Sequence, residues 1–187
     1  MKICFIGTGY VGLVSGTCFA DLGNNVWCVD NNKEKIDSLN NCDVTFFEPG
    51  LQELVVKNYS SGRLKFTTNL KFAVKMSDII FICVGTPASK KRKHSAELKY
   101  VYEVAKQLSK YINKFKIIVT KSTVPITTGD KIEKIISKNI KKKLFEVVSN
   151  PEFLREGEAI RDFRFPDRIV IGSNNKKVTK RLESLYE

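Results

Sequence analysis

The sequence of 187 residues has little of what metal sites and membrane segments require. It has one histidine, His94, and its cysteines show no CxxC spacing, which argues against a zinc site. No apolar run approaches the roughly 18 residues that a membrane-spanning helix needs. The apolar stretch at the start of the chain is too short for a signal peptide and is interrupted by glycine. We therefore expect a soluble, cytoplasmic protein with no metal and no membrane contact.

Cysteines are few, and their placement favours a structural role. The five cysteines occupy positions 4, 18, 28, 42 and 83. Three of them lie inside apolar runs that are typical of strands. Buried, reduced thiols in a reducing compartment explain this usage.

Positive charge is concentrated in the second half of the chain. Residues 1–88 contain 8 Lys+Arg and 8 Asp+Glu, whereas residues 89–187 contain 24 and 12, which accounts for the whole net charge of +12. The excess is largely lysine, without interleaved aromatic residues or a nucleic-acid motif. The charge therefore predicts a solvated surface that attracts anionic ligands, and we do not expect nucleic-acid binding.

Short apolar runs alternate with amphipathic segments along the chain. The runs typical of buried parallel strands are 2–6, 26–30, 79–84, 116–120, 145–149 and 168–172. Helical segments are predicted near 11–22, 32–40, 51–60, 98–112 and 129–140. This alternation is typical of an α/β, doubly wound, mainly parallel sheet of the Rossmann type, with helices on both faces.

The chain length suits a single domain. We expect residues 1–175 to form it and 176–187 to begin a connecting helix. The basic segment 89–95 is predicted to be an exposed loop.

A glycine-rich turn follows the first predicted strand directly. Gly7, Gly9 and Gly12 form a GxGxxG pattern, a helix is predicted after it, and the next strand ends at Asp30. The first glycine permits the tight turn, the second lets the backbone approach a pyrophosphate, and the third allows close packing of helix on strand. Strand, turn, helix and acidic residue together predict a dinucleotide site.

Asp30 is placed to accept hydrogen bonds from the hydroxyls of the adenosine ribose, and its charge would repel a 2′-phosphate. NAD is therefore favoured over NADP. An alternative is that Asp30 caps the next helix. Lys33 and Lys35 are close enough in sequence to soften the preference.

Further polar clusters lie at the ends of other predicted strands, where open α/β sheets bind ligands. Gly85–Pro87, Lys121–Pro125 and Ser149–Gly157 follow a predicted strand, and Phe165–Arg168 precedes the last one. The chain, across nearly its full length, resembles the N-terminal part of the UDP-glucose 6-dehydrogenases in the nucleotide-sugar dehydrogenase family. The matching segments are 7–14 (GTGYVGLV), 47–54 (FEPGLQEL), 84–87 (VGTP), 121–125 (KSTVP), 150–157 (NPEFLREG) and 166–172 (PDRIVIG).

The resemblance implies a two-step oxidation of the C6 alcohol of a UDP-hexose such as UDP-glucose to a carboxylate, with two NAD and a cysteine-bound thioester. The implied cofactor contacts are Gly7, Gly9, Tyr10, Val11, Gly12, Asp30, Lys35, Val84, Gly85, Thr86, Pro87, Ser122, Thr123 and Glu156. The implied sugar-nucleotide contacts are Glu152, Phe153, Leu154, Arg155 and Glu156. Glu152 and Thr123 are the implied catalytic residues, which act on the water that hydrolyses the thioester.

Physical alternatives remain for both catalytic residues. If 151–157 is helical, Glu152 and Glu156 share one face, and paired carboxylates can supply a base near neutral pH. Otherwise Pro151 begins a helix and Glu152 only favours its N-terminus. Thr123 could simply shape a turn.

The resemblance also implies parts that residues 1–187 do not contain. The family's catalytic lysine and asparagine and its nucleophilic cysteine lie on a later helix and a second domain, and that helix forms most of the homodimer contact. The loop 88–97 is more basic than in relatives, so the resemblance does not establish which of its residues contact the cofactor. A dehydrogenase of UDP-N-acetylhexosamine or GDP-mannose, or a non-catalytic NAD- or nucleotide-sugar-binding module, are the alternatives.

Overall fold

Six parallel strands form one sheet in the computed structural model, which describes residues 1–88 and 96–187. The strands are β1 Lys2–Ile6, β2 Asn25–Val29, β3 Leu64–Thr67, β4 Ile79–Ile82, β5 Lys116–Thr120 and β6 Phe145–Ser149. Their order in space is β3-β2-β1-β4-β5-β6, and every neighbouring pair is parallel. The order reverses between β1 and β4, so a crevice opens there at the carboxyl ends of the strands.

Helices cover both faces of the sheet. They are α1 Tyr10–Asp21, α2 Lys33–Asn40, α3 Leu51–Ser60, α4 Leu70–Met76, α5 Lys99–Tyr111, α6 Thr128–Ile136, α7 Ala159–Arg164 and α8 Lys176–Tyr186, with a 3₁₀ turn at Lys142–Leu144. The core on one face includes residues of α1, α3, α7 and α8, and the core on the other includes residues of α4, α5 and α6. The doubly wound α/β fold predicted from the sequence is confirmed.

Successive side chains along β1 point into different cores. Phe5 belongs to the first core, where its ring stacks on Phe81 with centroids 4.6 Å apart and Phe19 packs beside both. Cys4 and Ile6, which point the other way, belong to the second core. Because both faces are buried, the strand is apolar at every position after its first residue.

The predicted strand at 168–172 is wrong. Only Gly172 pairs with the sheet, through an isolated antiparallel bridge to Ser149. The sheet ends at β6, and the segment passes its carboxyl end with Ile169 and Val170 each 41% exposed. Its β-branched residues therefore do not mark a buried strand.

Three elements are absent from the sequence prediction: β3, α4 and α7. The helix predicted for the last residues is confirmed as α8, and Leu182 and Leu185 of this helix lie in the first core. Its continuation as a connecting helix stays a prediction. The predicted loop at 89–95 lies outside the described residues.

The structure also shows the state of the cysteines and the character of the helices. All five cysteines are free thiols, and four of them are buried: Cys4, Cys18, Cys28 and Cys83. Within the described residues, none of the helices combines the length and apolarity needed to cross a membrane, and no cluster of potential metal ligands occurs.

Candidate cofactor and active site

The glycine turn joins β1 to α1 at the crevice. Gly7 has φ +101°, and a Cβ there would lie 2.7 Å from the carbonyl oxygen of Cys83. A Cβ on Gly12 would lie 1.9 Å from the carbonyl oxygen of Gly7, so any side chain at position 12 displaces the turn. A Cβ on Gly9, by contrast, would meet no described atom within 4 Å. The turn is therefore packed from behind and open in front.

Helix α1 begins at the open side of this turn. Gly9 is its N-cap, and no side chain among the described residues caps it. The first amides of a helix have no partner within the helix, and together they carry a partial positive charge. The helix N-terminus thus offers N–H donors to an anion that fits in front of Gly9.

Asp30 follows β2 beside the turn. Its Oδ2 accepts hydrogen bonds from the backbone N and the Oγ1 of Thr8 at 2.9 and 2.8 Å, and its Oδ1 accepts one from the backbone N of Asn32 at 3.1 Å. Burial by itself raises the pKa of Asp30, but these hydrogen bonds and the charge of Lys35 outweigh it, so the net pKa is lowered. The carboxylate is ionised at neutral pH.

The alternative that Asp30 caps α2 is wrong. Asn32 is the N-cap, because its side-chain oxygen accepts a hydrogen bond from the backbone N of Lys35 at 3.0 Å. Asp30 therefore remains available to a ligand at the crevice.

A cavity of about 760 Å³ lies in front of the turn. Most of the predicted cofactor residues line it: Gly7, Gly9, Tyr10, Val11, Asp30, Lys35, Val84, Gly85, Thr86, Ser122 and Thr123. Glu152 lines it as well. Gly12, Pro87 and Glu156 do not, although Gly12 supports the turn from behind.

The loops after β4 and β5 are tied together at this cavity. The hydroxyl of Ser122 donates to the carbonyl oxygen of Val84 at 3.0 Å, and that of Thr86 donates to the carbonyl oxygen of Thr123 at 3.5 Å. These two hydrogen bonds hold the loops together, and the loops form the wall of the cavity opposite β2.

Helix α5 supplies part of the cavity wall that the sequence did not predict. Tyr100, Glu103 and Gln107 lie on one face of α5 and line the cavity. Their spacing of three and four residues predicts from the sequence that they share a helix face. It does not predict which strand end that face lies against.

A second cavity, of about 620 Å³, adjoins the first. Its lining includes Lys121, Asn150, four predicted sugar contacts (Glu152, Phe153, Leu154 and Arg155), and Phe165–Ile169. Glu152 is part of the lining of both cavities. The predicted acid/base residue therefore lies where the two spaces meet.

The segment that carries Glu152 is not helical, so both helical readings of it are wrong. Residues 151–155 are irregular and 156–158 form a turn. Glu152 accepts a hydrogen bond from the backbone N of Leu154 at 2.6 Å, whereas Glu156 is exposed outside both linings. Pro151 therefore starts no helix.

Arg155 is engaged by carboxylates. Its Nη2 lies 2.7 Å from Asp162 and 2.6 Å from Glu158, and its backbone N also donates to Asp162 at 2.9 Å. These contacts stabilise the turn that leads into α7. Whether Arg155 contacts a sugar nucleotide stays a prediction.

Glu48 is a site residue that the sequence did not reveal. It is 5% exposed, and its carboxylate accepts hydrogen bonds from the hydroxyl of Tyr10, from the backbone N of Gly157 at 2.8 Å and from that of Ile160 at 3.3 Å. Burial and the neighbouring Glu48 raise the pKa of Tyr10 to about 12, which keeps its hydroxyl protonated. The glycine turn is thereby joined to the turn after the Glu152 segment.

Comparison with known proteins agrees with this geometry. The family described as "UDP-glucose/GDP-mannose dehydrogenase family, NAD binding domain" matches residues 1–187. The chain belongs to this family.

Sequence and structure relatives support the assignment. The chain is 55% identical over 172 residues to a UDP-glucose 6-dehydrogenase of Rhizobium meliloti, covering 92% of the chain and 39% of that protein. It is 50% identical over 187 residues to one of Bacillus subtilis, covering 100% and 40%. The GDP-mannose dehydrogenase structure from Pseudomonas aeruginosa superposes with TM-score 0.95 at 38% identity, covering 100% of the chain and 44% of that structure.

The chain thus spans about 40% of the length of these curated relatives. In the UDP-glucose/GDP-mannose dehydrogenase family, the part that it matches is the NAD-binding domain, which confirms NAD as the predicted cofactor. The structure suits this cofactor: space in front of Gly9, an uncapped helix N-terminus beside it, and an ionised carboxylate at Asp30.

Proposed function

We propose that the full gene product containing residues 1–187 is an NAD-dependent dehydrogenase that oxidises the C6 alcohol of UDP-glucose to a carboxylate. Residues 1–187 form its cofactor-binding part and one wall of its sugar site. The observation that carries the proposal is the meeting of two cavities at Glu152, one of them lined by eleven of the fourteen predicted cofactor residues.

NAD, when bound, accepts the hydride that leaves C6, once for each of the two oxidation steps. The amides at the start of α1 bind its pyrophosphate, since Gly9 leaves the approach open. Asp30 accepts hydrogen bonds from the adenosine ribose, and Lys35 lies on the same side of the cavity. The joined loops that carry Thr86 and Ser122 would form the opposite wall of the NAD site.

Glu152 acts as the acid/base residue in this proposal. Its carboxylate borders both cavities, so it can exchange a proton with a group held between sugar and cofactor. Thr123 borders the first cavity and helps to hold the water used in thioester hydrolysis. The sugar nucleotide occupies the second cavity, beside Phe153 and Leu154.

The thioester cysteine belongs to another part of the protein. Burial raises the pKa of Cys18 and Cys83 to about 12 and that of Cys4 and Cys28 above the ordinary range, so none of them is a ready thiolate. Cys42 lies outside the linings of both cavities. Residues 1–187 by themselves bind NAD without completing the oxidation.

Turnover of the full gene product tests the proposal. We expect two NADH per UDP-glucose consumed, and loss of the second step in Glu152→Gln with NADH affinity unchanged. Unchanged turnover of Glu152→Gln would refute the role of Glu152. Binding of NAD without oxidation of any nucleotide sugar would favour a non-catalytic module instead.

A second candidate substrate is GDP-mannose, because the GDP-mannose dehydrogenase structure and a UDP-glucose dehydrogenase structure from Pyrobaculum islandicum are both 38% identical to the chain. UDP-N-acetylmannosamine follows at 28% identity to a Staphylococcus aureus dehydrogenase. Comparing kcat/KM for the three nucleotide sugars decides among them. Location in the cytoplasm, a homodimer and the absence of nucleic-acid binding stay predictions.

A further inference from the structure

Lys121 is a buried lysine directly after β5, with 5% of its surface exposed. Its Nζ lies 3.1 Å from the hydroxyl oxygen of Tyr186 on α8 and 3.4 Å from Oδ1 of Asn150. The hydroxyl of Tyr186 in turn donates to Oδ1 of Asn150 at 2.5 Å. These three residues, the Lys121 cluster, form a closed set of polar side chains.

The Lys121 cluster connects the strand ends around the second cavity. The backbone N of Asn150 donates to the carbonyl oxygen of Thr120 at 3.0 Å, and its side-chain amide donates to the carbonyl oxygen of Val170 at 2.8 Å. The Lys121 ammonium therefore joins the ends of β5 and β6 to the last residue of α8, and Asn150 joins them to the 166–172 segment. Asn150 is also two residues before Glu152.

The Lys121 side chain borders the same cavity as the carboxylate that the proposed reaction uses. Lys121 and Glu152 both line the second cavity. Burial lowers the pKa of Lys121 to about 8, and the negative charge of Glu152 opposes that shift. Burial likewise raises the pKa of Tyr186, so its hydroxyl stays a donor to Asn150.

A second buried lysine on the same strand provides a comparison. Lys116 begins β5 at the opposite edge of the sheet and is fully buried, and its Nζ donates to the backbone carbonyl oxygens of Ser77 and Lys75. Burial also lowers the pKa of Lys116 to about 8. Lys116 therefore caps a helix end, whereas the partners of Lys121 are side chains at a cavity. Because both lysines are buried, comparing them separates the cost of burying an ammonium from the effect of its position at the cavity.

We propose that Lys121 is a positioning residue of the sugar site. It holds the Asn150–Glu152 segment against the Ser122–Thr123 loop and presents a positive charge to the Glu152 carboxylate. This inference rests on the proposed function of Glu152, and neither the family description nor the relatives' names assign Lys121 a role.

Lysine titration tests the juxtaposition without any turnover. In the chain labelled with ¹³Cε-lysine, we expect two resonances to titrate near pH 8, and their loss in Lys121→Met and Lys116→Met assigns them. We expect Glu152→Gln to lower the pKa of Lys121, because an opposing negative charge is removed, and to leave that of Lys116 unchanged. A Lys121 resonance that does not move overturns the inference.

Turnover of the full gene product tests the positioning role. We expect Lys121→Met to lower kcat/KM for the nucleotide sugar by up to about 100-fold relative to Lys116→Met, because a displaced Glu152 loses its reaction geometry, while the Kd for NADH is equal in the two variants. Equal kcat/KM in the two variants contradicts the inference.

Tyr186→Phe provides a second route if Lys121→Met does not fold. It removes one hydrogen-bond partner and keeps the charge, so we expect a smaller fall in kcat/KM, again with unchanged Kd for NADH. An unchanged kcat/KM in Tyr186→Phe contradicts the inference. Wild-type protein that oxidises no nucleotide sugar contradicts the proposed function instead, and the lysine titration then still decides whether Lys121 and Glu152 face each other.

Discussion

We predict that the carboxylate of Asp30 binds the adenosine ribose of NAD. Asp30→Asn keeps the shape and removes the charge, so we expect NADH affinity to fall by about 1.5–3 kcal/mol and the preference over NADPH to narrow. Fluorescence titration with both cofactors measures this. Asp37→Asn is the control, since Asp37 lies on α2 in an exposed ion pair with Lys33. Equal affinity of the wild-type chain for NADH and NADPH would contradict the assignment.

Gly12 is required by its contact with the backbone of the turn. Gly12→Ala places a methyl group 1.9 Å from the carbonyl oxygen of Gly7, so we expect a loss of about 1–3 kcal/mol in unfolding free energy together with NADH binding. Urea denaturation and NADH titration measure the two effects.

Gly129 is the matched control for Gly12. It also lies in a helix, α6, and a Cβ there would be 3.9 Å from Val147. Gly129→Ala is expected to leave NADH binding unchanged and to gain up to about 1 kcal/mol of stability. If Gly12→Ala and Gly129→Ala change unfolding free energy and NADH binding equally, close packing does not explain why position 12 needs glycine.

At the scale of elements, the join between Tyr10, Glu48 and Gly157 holds two turns together. Glu48→Gln points an amide N–H toward backbone N–H groups, so we expect a loss of about 1–3 kcal/mol and faster hydrogen exchange at Gly157 and Ile160. Amide exchange followed by NMR measures it. Glu53→Gln, at an exposed position on α3, is the control and should leave both amides unchanged.

The strand that the sequence wrongly predicts at 168–172 gives a direct comparison of burial. Ile118 of β5 is fully buried, whereas Ile169 is 41% exposed. We expect Ile118→Ala to cost about 2–5 kcal/mol in urea denaturation and Ile169→Ala less than about 1 kcal/mol. Similar losses in the two variants would restore 168–172 as a buried strand.

Elements with strong patterns could be predicted from the sequence, and those defined by distant contacts could not. β1 and β5 are apolar runs buried on both faces, and their bounds match the prediction. β3 has only four residues, and its alternating burial is too short to be distinctive. Glu48 is placed by partners more than a hundred residues away, at Gly157 and Ile160, so no local spacing reveals it.

For the whole molecule, the position of the site follows from the topology. The glycine turn and the motifs at 84–87, 121–125 and 150–157 each follow a strand, and parallel strands bring their carboxyl ends to one edge. Eleven of the fourteen predicted cofactor residues therefore line one crevice, although the prediction was made without the order of strands. It could not predict that Glu152 borders two cavities, because this depends on how the irregular segment 151–158 folds across the edge.

Unfolding measured against pH is a prediction for the whole chain, because its buried ionisable groups act in opposite directions. The pKa of Lys116 is about 8 in the folded chain and near its ordinary value of 10.5 in the unfolded chain. Between these values the unfolded state binds more protons, so this lysine's contribution to stability increases as pH rises, by at most about 3 kcal/mol. The buried cysteines, whose pKa is raised, have the reverse effect above their unfolded pKa.

The difference between wild type and Lys116→Met isolates the lysine from the cysteines, which both proteins share. We expect the unfolding free energy of wild type relative to Lys116→Met to increase between pH 8 and 10.5 and to stay constant from pH 6 to 7, where Lys116 is charged in both states. Urea denaturation at each pH measures it. A difference that stays flat to pH 10.5 would mean that the ammonium of Lys116 is hydrated in the folded chain, contrary to its burial between β5 and the end of α4.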